Sequence, residues 1–364
     1  MKILHLPTRV GGNSWGLSQG ERRIGLDSSV LIYDSKSLHI KYKADIIVPL
    51  PEETESFQRP KLLARLLRTF FRIRNRYDVF HFNFGSSLLN IPRYGMYSMD
   101  LPFYPSKARL FVTYNGCDAR QKYPTMARAP IASCHNPLCY GGMCNSGEQD
   151  SIRRKNIAKF ARHVDYMFAL NPDLLWFLPE GKASFLPYTV ANWYDEMEKP
   201  PLFARKKLRI VHSTTDRECK GTDLILRSLR KVEGMFPGEV EVVLVEGMSY
   251  QEALANYREA DLVVDEIFGG WYSGVAVEVM RMGKPVAVYI REEDLHFIPS
   301  AMRKEIDDAF IRISPDSMDD VLGRFVSDRN ALREKGENGY QFVNKWHDPE
   351  RIALQVKERY EMIR

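Results

Sequence analysis

Two cations and a glycine lie close together in the most chemically suggestive segment of the chain. Arg217, Lys220 and Gly221 follow the apolar run 208–212 and precede a segment with helical spacing. A helix N-terminus offers unpaired N–H groups and the positive end of its dipole, and the two side chains add full charges. Without a bound anion these cations would oppose the dipole, so the spacing favours an anion site of the kind that holds a diphosphate.

A second glycine-rich segment, 265–286, begins at the end of a predicted strand. Its Ser273-Gly274 pair opens a predicted helix whose N–H groups could meet a phosphate. Glu278 lies one turn into that helix, within reach of ribose hydroxyls, although a lone helical glutamate is more often solvated. The candidate donor-binding residues are Gly221, Asp265, Tyr272, Ser273, Gly274, Val275 and Glu278.

Together these segments resemble the C-terminal domain of GT-B glycosyltransferases, in particular the GT4-like retaining enzymes, which use nucleotide-sugar donors. The likeness rests on Arg217, on Lys220-Gly221, and on Glu278 with the Gly-Lys-Pro-Val of 283–286 after it. The family has two glutamates eight positions apart. The second matches Glu278, whereas Gly270 stands at the first, which marks a divergent branch.

The first half of the chain resembles the same family more loosely. Gly11 and Gly12 match the glycine-rich loop on the acceptor side. Asn115, which follows the predicted strand 110–114, replaces a histidine that the family often has there. The resemblance implies that Asp118 acts in catalysis beside the two cations, and that Arg120 lies with the acceptor-side residues. Turn chemistry alone would also explain Gly and Asp in such loops.

The resemblance implies transfer of a sugar from a UDP- or GDP-linked donor to a glycan or lipid-linked acceptor, in the synthesis of cell-surface glycans or glycolipids. Arg217, Lys220 and the helix near Gly274 would stabilise the leaving diphosphate, so the chemistry would require no cofactor. Two alternatives stay open. The substitutions at Gly270 and Asn115 suggest a non-catalytic protein that binds nucleotide sugars or polyanions, and sugar epimerases share the fold.

A cysteine-rich loop is the least expected feature of the sequence. Thiolates and imidazole suit a structural zinc ion or an iron–sulfur cluster, although the four-residue gaps are wide for zinc. The alternatives are small buried side chains, or a disulfide formed during handling. The candidate ligands are Cys117, Cys134, His135, Cys139 and Cys144.

Residues 60–77 place leucines and phenylalanines on one face and arginines mostly on the other. This pattern is typical of a helix on an anionic membrane surface, or of one packed on a sheet with its basic face in water. The net charge of +5, from 52 basic and 47 acidic residues, argues against a nucleic-acid partner. Without a signal peptide or an apolar span, we expect a cytoplasmic protein, free or resting on the inner face of the membrane.

Strand-like and helical patterns alternate in both halves, which predicts an α/β protein of the GT-B type with two doubly wound, Rossmann-like domains across a cleft. We expect domains at 1–198 and 207–345, a linker at 199–207, and a final helix within 346–364 that crosses back to the first domain. The predicted strands are 2–6, 29–33, 45–48, 79–82, 110–114, 166–170, 208–212, 240–245, 262–265 and 285–289; the predicted helices are 17–26, 61–77, 224–232, 249–258 and 274–282.

Overall fold

The computed structural model describes residues 1–8, 10–34, 44–49, 59–92, 95–195 and 199–362. Contacts divide the chain into two compact units. Unit 1 comprises 1–121, 150–193 and 348–364, and unit 2 comprises 122–149 and 194–347. The structure therefore places 122–149 and 194–207 in the unit that contains most of the second half of the chain. It places the final helix in the unit that contains most of the first half.

Unit 1 is built on a seven-stranded parallel sheet in the order β3-β2-β1-β4-β5-β6-β7. The central strands are buried on both faces, as parallel sheets covered by helices require. The strands are β1 Lys2–Leu6, β2 Asp27–Asp34, β3 Ile46–Pro49, β4 Val79–Asn83, β5 Arg109–Tyr114, β6 Tyr166–Ala169 and β7 Ala183–Phe185.

The helices of unit 1 include the first and the last of the chain. The last one begins at Pro349, and the side chain of Asp348 accepts from the Glu350 N–H at 2.9 Å. A proline in the first turn and an acidic cap are the signals that place a helix start. These helices are α1 Asn13–Arg23, α2 Arg59–Ile73, most of α4 Glu148–His163, and α13 Pro349–Met362.

A buried carboxylate ties the last helix to the sheet of unit 1. Glu21 on α1 is fully buried, pairs with His5 at 2.7 Å, and accepts from Ser28 Oγ at 2.6 Å. Tyr360 of α13 donates to the other oxygen of Glu21 at 3.1 Å and lies 2.6 Å from His81 Nδ1. Burial of the Glu21 carboxylate costs less because its two oxygens meet three side chains inside the core.

Unit 2 has a five-stranded parallel sheet in the order β12-β11-β10-β8-β9. The chain leaves β8 toward β9 on one side and later returns to β10 on the other, which creates a topological switch point at β8. The strands are β8 Leu208–Ser213, β9 Val240–Val245, β10 Leu262–Val264, β11 Val286–Val288 and β12 Ile311–Arg312.

The helices of unit 2 include those that connect the successive strands of its sheet. Most of the helices of unit 2 that the sequence pattern did not predict come after β11. The helices are α3 Lys122–Arg128, α5 Arg217–Lys220, α6 Thr222–Met235, α7 Tyr250–Arg258, α8 Gly274–Arg281, α9 Ser300–Arg303, α10 Ile306–Ala309, α11 Met318–Ser327 and α12 Arg329–Trp346.

The structure confirms the predicted fold class, two parallel α/β sheets. A short 3-10 helix begins at Pro172 after β6, and the Asn171 side chain makes no capping hydrogen bond to it. The Asn171 side chain instead donates to Asn115 O at 2.8 Å and accepts from the Tyr188 hydroxyl at 2.5 Å. Over the described ranges of the chain, no helix is both long and apolar enough to cross a membrane.

The contact between α1 and α13 gives a test of this packing in unit 1. A Cβ added at Gly20 would clash with Pro349 O, whereas one at Gly234, an exposed position of α6, meets nothing within 4 Å. We expect Gly20→Ala to lower the free energy of unfolding by about 3 kcal/mol through overpacking. Gly234→Ala should raise it by up to about 1 kcal/mol, because alanine favours the helix. Urea denaturation of both variants measures this, and equal effects would contradict the packing.

Candidate functional site

The turn that carries Lys220 lies at the carboxyl end of β8. Helix α5 begins after Asp216, whose side chain accepts from the Cys219 N–H at 2.7 Å. Gly221 then turns the chain into α6 with φ of 76°, a left-handed conformation that favours glycine. A Cβ there would lie 2.6 Å from Ile267, so the glycine also allows the turn to approach the loop after β10.

The buried carboxylate of Asp265 connects this turn to helix α8. Lys220 Nζ lies 3.0 Å from Asp265 Oδ1. Ser273 donates to the same carboxylate through its N–H and its hydroxyl, each at 2.7 Å. The Ser273 hydroxyl also accepts from the Val275 N–H at 3.2 Å and so caps α8, which begins at Gly274. The structure therefore brings the predicted lysine and the predicted helix N-terminus to one carboxylate.

Lys220 is a largely buried cation. Burial opposes its charge, but the carboxylates of Asp265 and Glu266 outweigh this and raise the pKa of its ammonium group above the ordinary value. The lysine is therefore protonated at physiological pH. An ammonium group held this way is fixed in direction before any ligand arrives.

Glu278 is buried one turn inside α8. The hydroxyl of Tyr250 donates to its carboxylate at 2.8 Å. Burial raises the pKa of Glu278 to about 7, against a smaller lowering by that hydrogen bond. Near neutral pH this group can either accept hydrogen bonds from hydroxyl groups or donate one of its own.

Arg217 faces different partners from Lys220. Its guanidinium donates twice to Glu246, each time at 2.8 Å, and once to Asp223 at 2.9 Å. Glu246 follows β9, whereas Asp265 follows β10, on the other side of β8. The two cations of the motif are thus paired with separate carboxylates. An anion that used both would have to displace the bidentate contact to Glu246.

Tyr272 lies in the core of unit 2. Its ring stacks on Phe310 with centroids 4.6 Å apart, and its hydroxyl lies 2.8 Å from His347 Nε2. The side chain is fully buried.

The space beside Gly270 is occupied by an arginine from elsewhere in the chain. Gly270 has φ of 80°, and a Cβ built on it would lie 2.6 Å from the Cζ of Arg291. Arg291 follows β11, is 2% exposed, pairs with Asp294 at 2.9 Å and donates to Ile131 O at 2.7 Å. No sequence pattern pointed to Arg291, because nothing in its neighbourhood resembles a motif.

The predicted acceptor-side residues all lie in unit 1. The carboxylate of Asp118 accepts from the backbone N–H of Asn115 at 3.1 Å and of Gly116 at 2.6 Å. Burial raises the pKa of Asp118 to about 6, and these N–H groups lower it in part. The Asn115 side chain donates to Val10 O at 3.4 Å, beside Gly11 and Gly12. The structure therefore brings these two loops together at the ends of β1 and β5.

Arg120 forms a fork with Asp173 in unit 1. Its Nε and Nη2 atoms donate to the two oxygens of that carboxylate at 2.6 and 2.9 Å. Asp173 is almost fully buried. A buried, bidentate pair of this kind fixes two segments of the fold, and removing one partner leaves an uncompensated charge.

The predicted metal ligands are divided between the two units. Cys117 belongs to unit 1, whereas Cys134, His135, Cys139 and Cys144 belong to unit 2. His135 Nε2 lies 2.8 Å from Ala129 O, a backbone contact. Within the part of the chain that the structure describes, no three His, Cys, Asp or Glu side chains are placed to hold a metal ion.

No protein-family model matches the sequence, and no curated protein matches it significantly. Solved structures do resemble it. The kitacinnamycin glycotransferase has 14% identity, 99% coverage of both chains and a TM-score of 0.50. The UDP-GlcNAc 2-epimerase of Neisseria meningitidis, bound to UDP-GlcNAc, has 12% identity, 99% coverage of both chains and a TM-score of 0.54. TarM has 13% identity and a TM-score of 0.54, with 82% of this chain and 58% of TarM covered.

The chain has a GT-B fold. In unit 2, Lys220 and the start of α8 both contact Asp265 at the carboxyl edge of the sheet. Ligands of open α/β sheets bind at that edge, next to a switch point. At the sequence identities found, the likeness shows the fold alone.

The pKa of Glu278 in this GT-B fold gives a pH-dependent test. It is about 7 in the folded chain, against an ordinary value of 4.5. As pH rises from about 4.5 to about 7, the unfolded chain ionises first, so stability falls over that window. We expect Glu278→Gln to abolish this loss, which amounts to about 3 kcal/mol at most. Urea denaturation at pH 4.5 and 7.5 measures it.

The exposed Glu233 of α6 provides the matched control for that experiment. The Glu233→Gln variant should keep the wild-type dependence of stability on pH. If Glu278→Gln and wild type lost the same stability between the two pH values, the buried carboxyl would not have the raised pKa.

Proposed function

We propose that this protein is a glycosyltransferase that moves a sugar from a nucleotide-diphosphate donor to an acceptor hydroxyl. The proposal depends on one observation, that Lys220 and the N-terminus of α8 both contact the carboxylate of Asp265. A fixed ammonium group and a helix N-terminus, side by side at the carboxyl edge of a parallel sheet, form an anion site suited to a diphosphate.

In the proposed reaction the acceptor oxygen forms a bond to the anomeric carbon, while the bond from that carbon to the diphosphate oxygen breaks. Negative charge develops on the leaving diphosphate. Lys220 and the positive end of the α8 dipole stabilise that charge without having to move. Arg217 adds its positive charge once its guanidinium has left Glu246 and bound phosphate oxygens instead. Glu278 accepts hydrogen bonds from the ribose hydroxyls. We propose UDP- or GDP-sugars as donors and a glycan or lipid-linked hydroxyl as acceptor.

The solved neighbours support a sugar nucleotide as the ligand class. The kitacinnamycin glycotransferase and an epimerase bound to UDP-GlcNAc share this fold over nearly the whole chain. A third neighbour, the S. aureus MnaA–UDP co-structure, matches this chain with a TM-score of 0.54. Transfer is favoured over epimerisation because the motif residues Lys220, Gly221 and Glu278 follow the glycosyltransferase pattern.

The Arg291 guanidinium beside Gly270 favours one alternative, a protein that binds nucleotide sugars without turning them over. A cation stands where the resemblance places a carboxylate near the donor sugar. Binding of a nucleotide sugar without release of the nucleoside diphosphate, for every acceptor tested, would support this alternative.

Removing the Lys220 ammonium gives the direct test of the proposed function. With a panel of UDP-, GDP- and ADP-sugars, we expect Lys220→Ala to lower the rate of nucleoside diphosphate release at least about 100-fold, because the leaving group loses its fixed charge. The control is Lys231→Ala, which removes an exposed lysine of α6 paired with Asp319 at 2.7 Å. It should retain wild-type activity.

The melting temperature of each lysine variant is measured together with its rate, to show that the variant is folded. Lys220→Ala leaves the buried Asp265 without its cation, so some loss of stability is expected. A folded Lys220→Ala variant with full activity would overturn the proposed site. A wild-type chain that neither binds nor turns over any member of the panel would overturn the proposed function itself.

We also propose that α2 contacts an anionic membrane surface. Its apolar face, including Leu62, Leu66 and Phe70, is buried in the core of unit 1, as the sheet-packing interpretation requires. The opposite face is basic, and no acidic residue occurs between 59 and 77. Phe71 on this helix is 63% exposed, which adds an apolar group to the charged face. The exposed cations are Lys61, Arg65, Arg68, Arg72 and Arg76.

Charge reversal on this helix tests the membrane contact. Arg68→Glu with Arg72→Glu should lower co-sedimentation with phosphatidylglycerol vesicles about tenfold or more, since each basic residue near such a surface contributes about 1 kcal/mol. The control pair, Arg227→Glu with Arg230→Glu, makes the same charge change on the exposed face of α6. Equal binding of wild type to neutral and anionic vesicles would rule the contact out.

A further inference from the structure

The segment 122–149 folds with unit 2 although unit 1 surrounds it in the sequence. It contains α3 and two short 3-10 turns, at Ser133–His135 and at Cys139–Gly142. Both turns contact α5, the helix that carries Lys220. The segment thus lies against the proposed anion site.

One residue of this segment bonds to both loops of the site. The N–H of Ser133 donates to Phe268 O at 3.2 Å, in the loop between β10 and α8. Its hydroxyl donates to Cys219 O at 2.7 Å, in α5. Ser133 is 8% exposed, so solvent does not compete well for these bonds.

Other contacts anchor the segment on either side of Ser133. Asn136 Nδ2 donates to Glu218 Oε2 at 2.5 Å, again in α5. On the other side, Ile131 O accepts from Arg291 at 2.7 Å, and Arg128 pairs with Asp294 at 2.7 Å. Ser133 is therefore held at a fixed point between α5 and the loop after β10.

Helix α5 needs such support, because it has only four residues. A single helical turn is unstable alone, since too few hydrogen bonds offset the ordering of its backbone. Apart from this segment, α5 is held by the Asp216 cap, by a bond from the Ile267 N–H to Lys220 O at 3.2 Å, and by the ion pairs of its two cations. A displacement of about 1 Å in a catalytic group can lower a rate about 100-fold.

We propose that Ser133 is a positioning residue for the anion site. Its hydroxyl holds α5 against the loop that follows β10, so that the Lys220 ammonium stays beside the N-terminus of α8. This inference rests on the proposed function and adds to it a residue from the first half of the sequence. Ser133 touches neither the diphosphate nor the sugar, and acts through the backbone of Cys219.

Binding of inorganic pyrophosphate, measured by calorimetry, tests the positioning role without knowledge of the donor. We expect Ser133→Ala to raise the dissociation constant about tenfold, a loss equal to one hydrogen bond of about 1.4 kcal/mol. Ser133→Thr keeps the hydroxyl and should restore most of the affinity. UDP and GDP are measured in parallel.

The control is Ser146→Ala in the same segment. The Ser146 hydroxyl accepts from the Glu148 N–H at 3.3 Å, at the start of α4. This variant should lose some stability and keep wild-type affinity. It separates loss of affinity from loss of stability, which the melting temperatures of all variants record.

The outcomes distinguish the two proposals. If wild type binds these ligands and Ser133→Ala binds them equally well, the positioning role is wrong while the proposed function stands. If Ser133→Thr fails to recover affinity although it melts like wild type, the hydroxyl is not the cause and the inference is also wrong. If wild type binds none of pyrophosphate, UDP or GDP, both proposals fail together.

Discussion

The candidate site depends on the buried carboxylate of Asp265. An ionised carboxylate inside a protein needs several hydrogen-bond donors, and this one receives them from Lys220 and twice from Ser273. These donors come from two loops that are distant in sequence and adjacent in the sheet, because β10 pairs with β8. The need to satisfy one buried charge therefore determines where the lysine and the α8 N-terminus lie. It also means that a bound anion must share Lys220 with a competing carboxylate.

Unit 1 uses the same physical device for a different purpose. Glu21 is buried and satisfied by His5, Ser28 and Tyr360. Here the partners come from two strands and from the last helix, so the carboxylate closes the fold rather than presenting a charge. The difference lies in the surroundings: Glu21 is fully enclosed, whereas Asp265 lies at the carboxyl edge of a sheet, beside a helix N-terminus.

Sequence reasoning recovered what local patterns encode. The strands Lys2–Leu6 and Val240–Val245 and the start of α8 at Gly274 were predicted at their observed bounds, because β-branched runs and Ser-Gly signals act locally. Contacts between distant residues were not recoverable. The bond between Arg291 and Ile131 spans 160 residues, and no periodicity indicates it. The same holds for the segment 122–149, whose cysteines suggested a metal and whose backbone turned out to pack on α5.

The order of the chain through the two units has a consequence for synthesis on the ribosome. Unit 2 has received all its residues once His347 has emerged, whereas unit 1 still lacks α13 and the hydroxyl of Tyr360. The unit that is started first is therefore completed last, because Glu21 and His81 lack their partner Tyr360 until after the last residue of unit 2 has been made. Cutting the chain at 199–207 would likewise release no intact unit, because each fragment carries part of both.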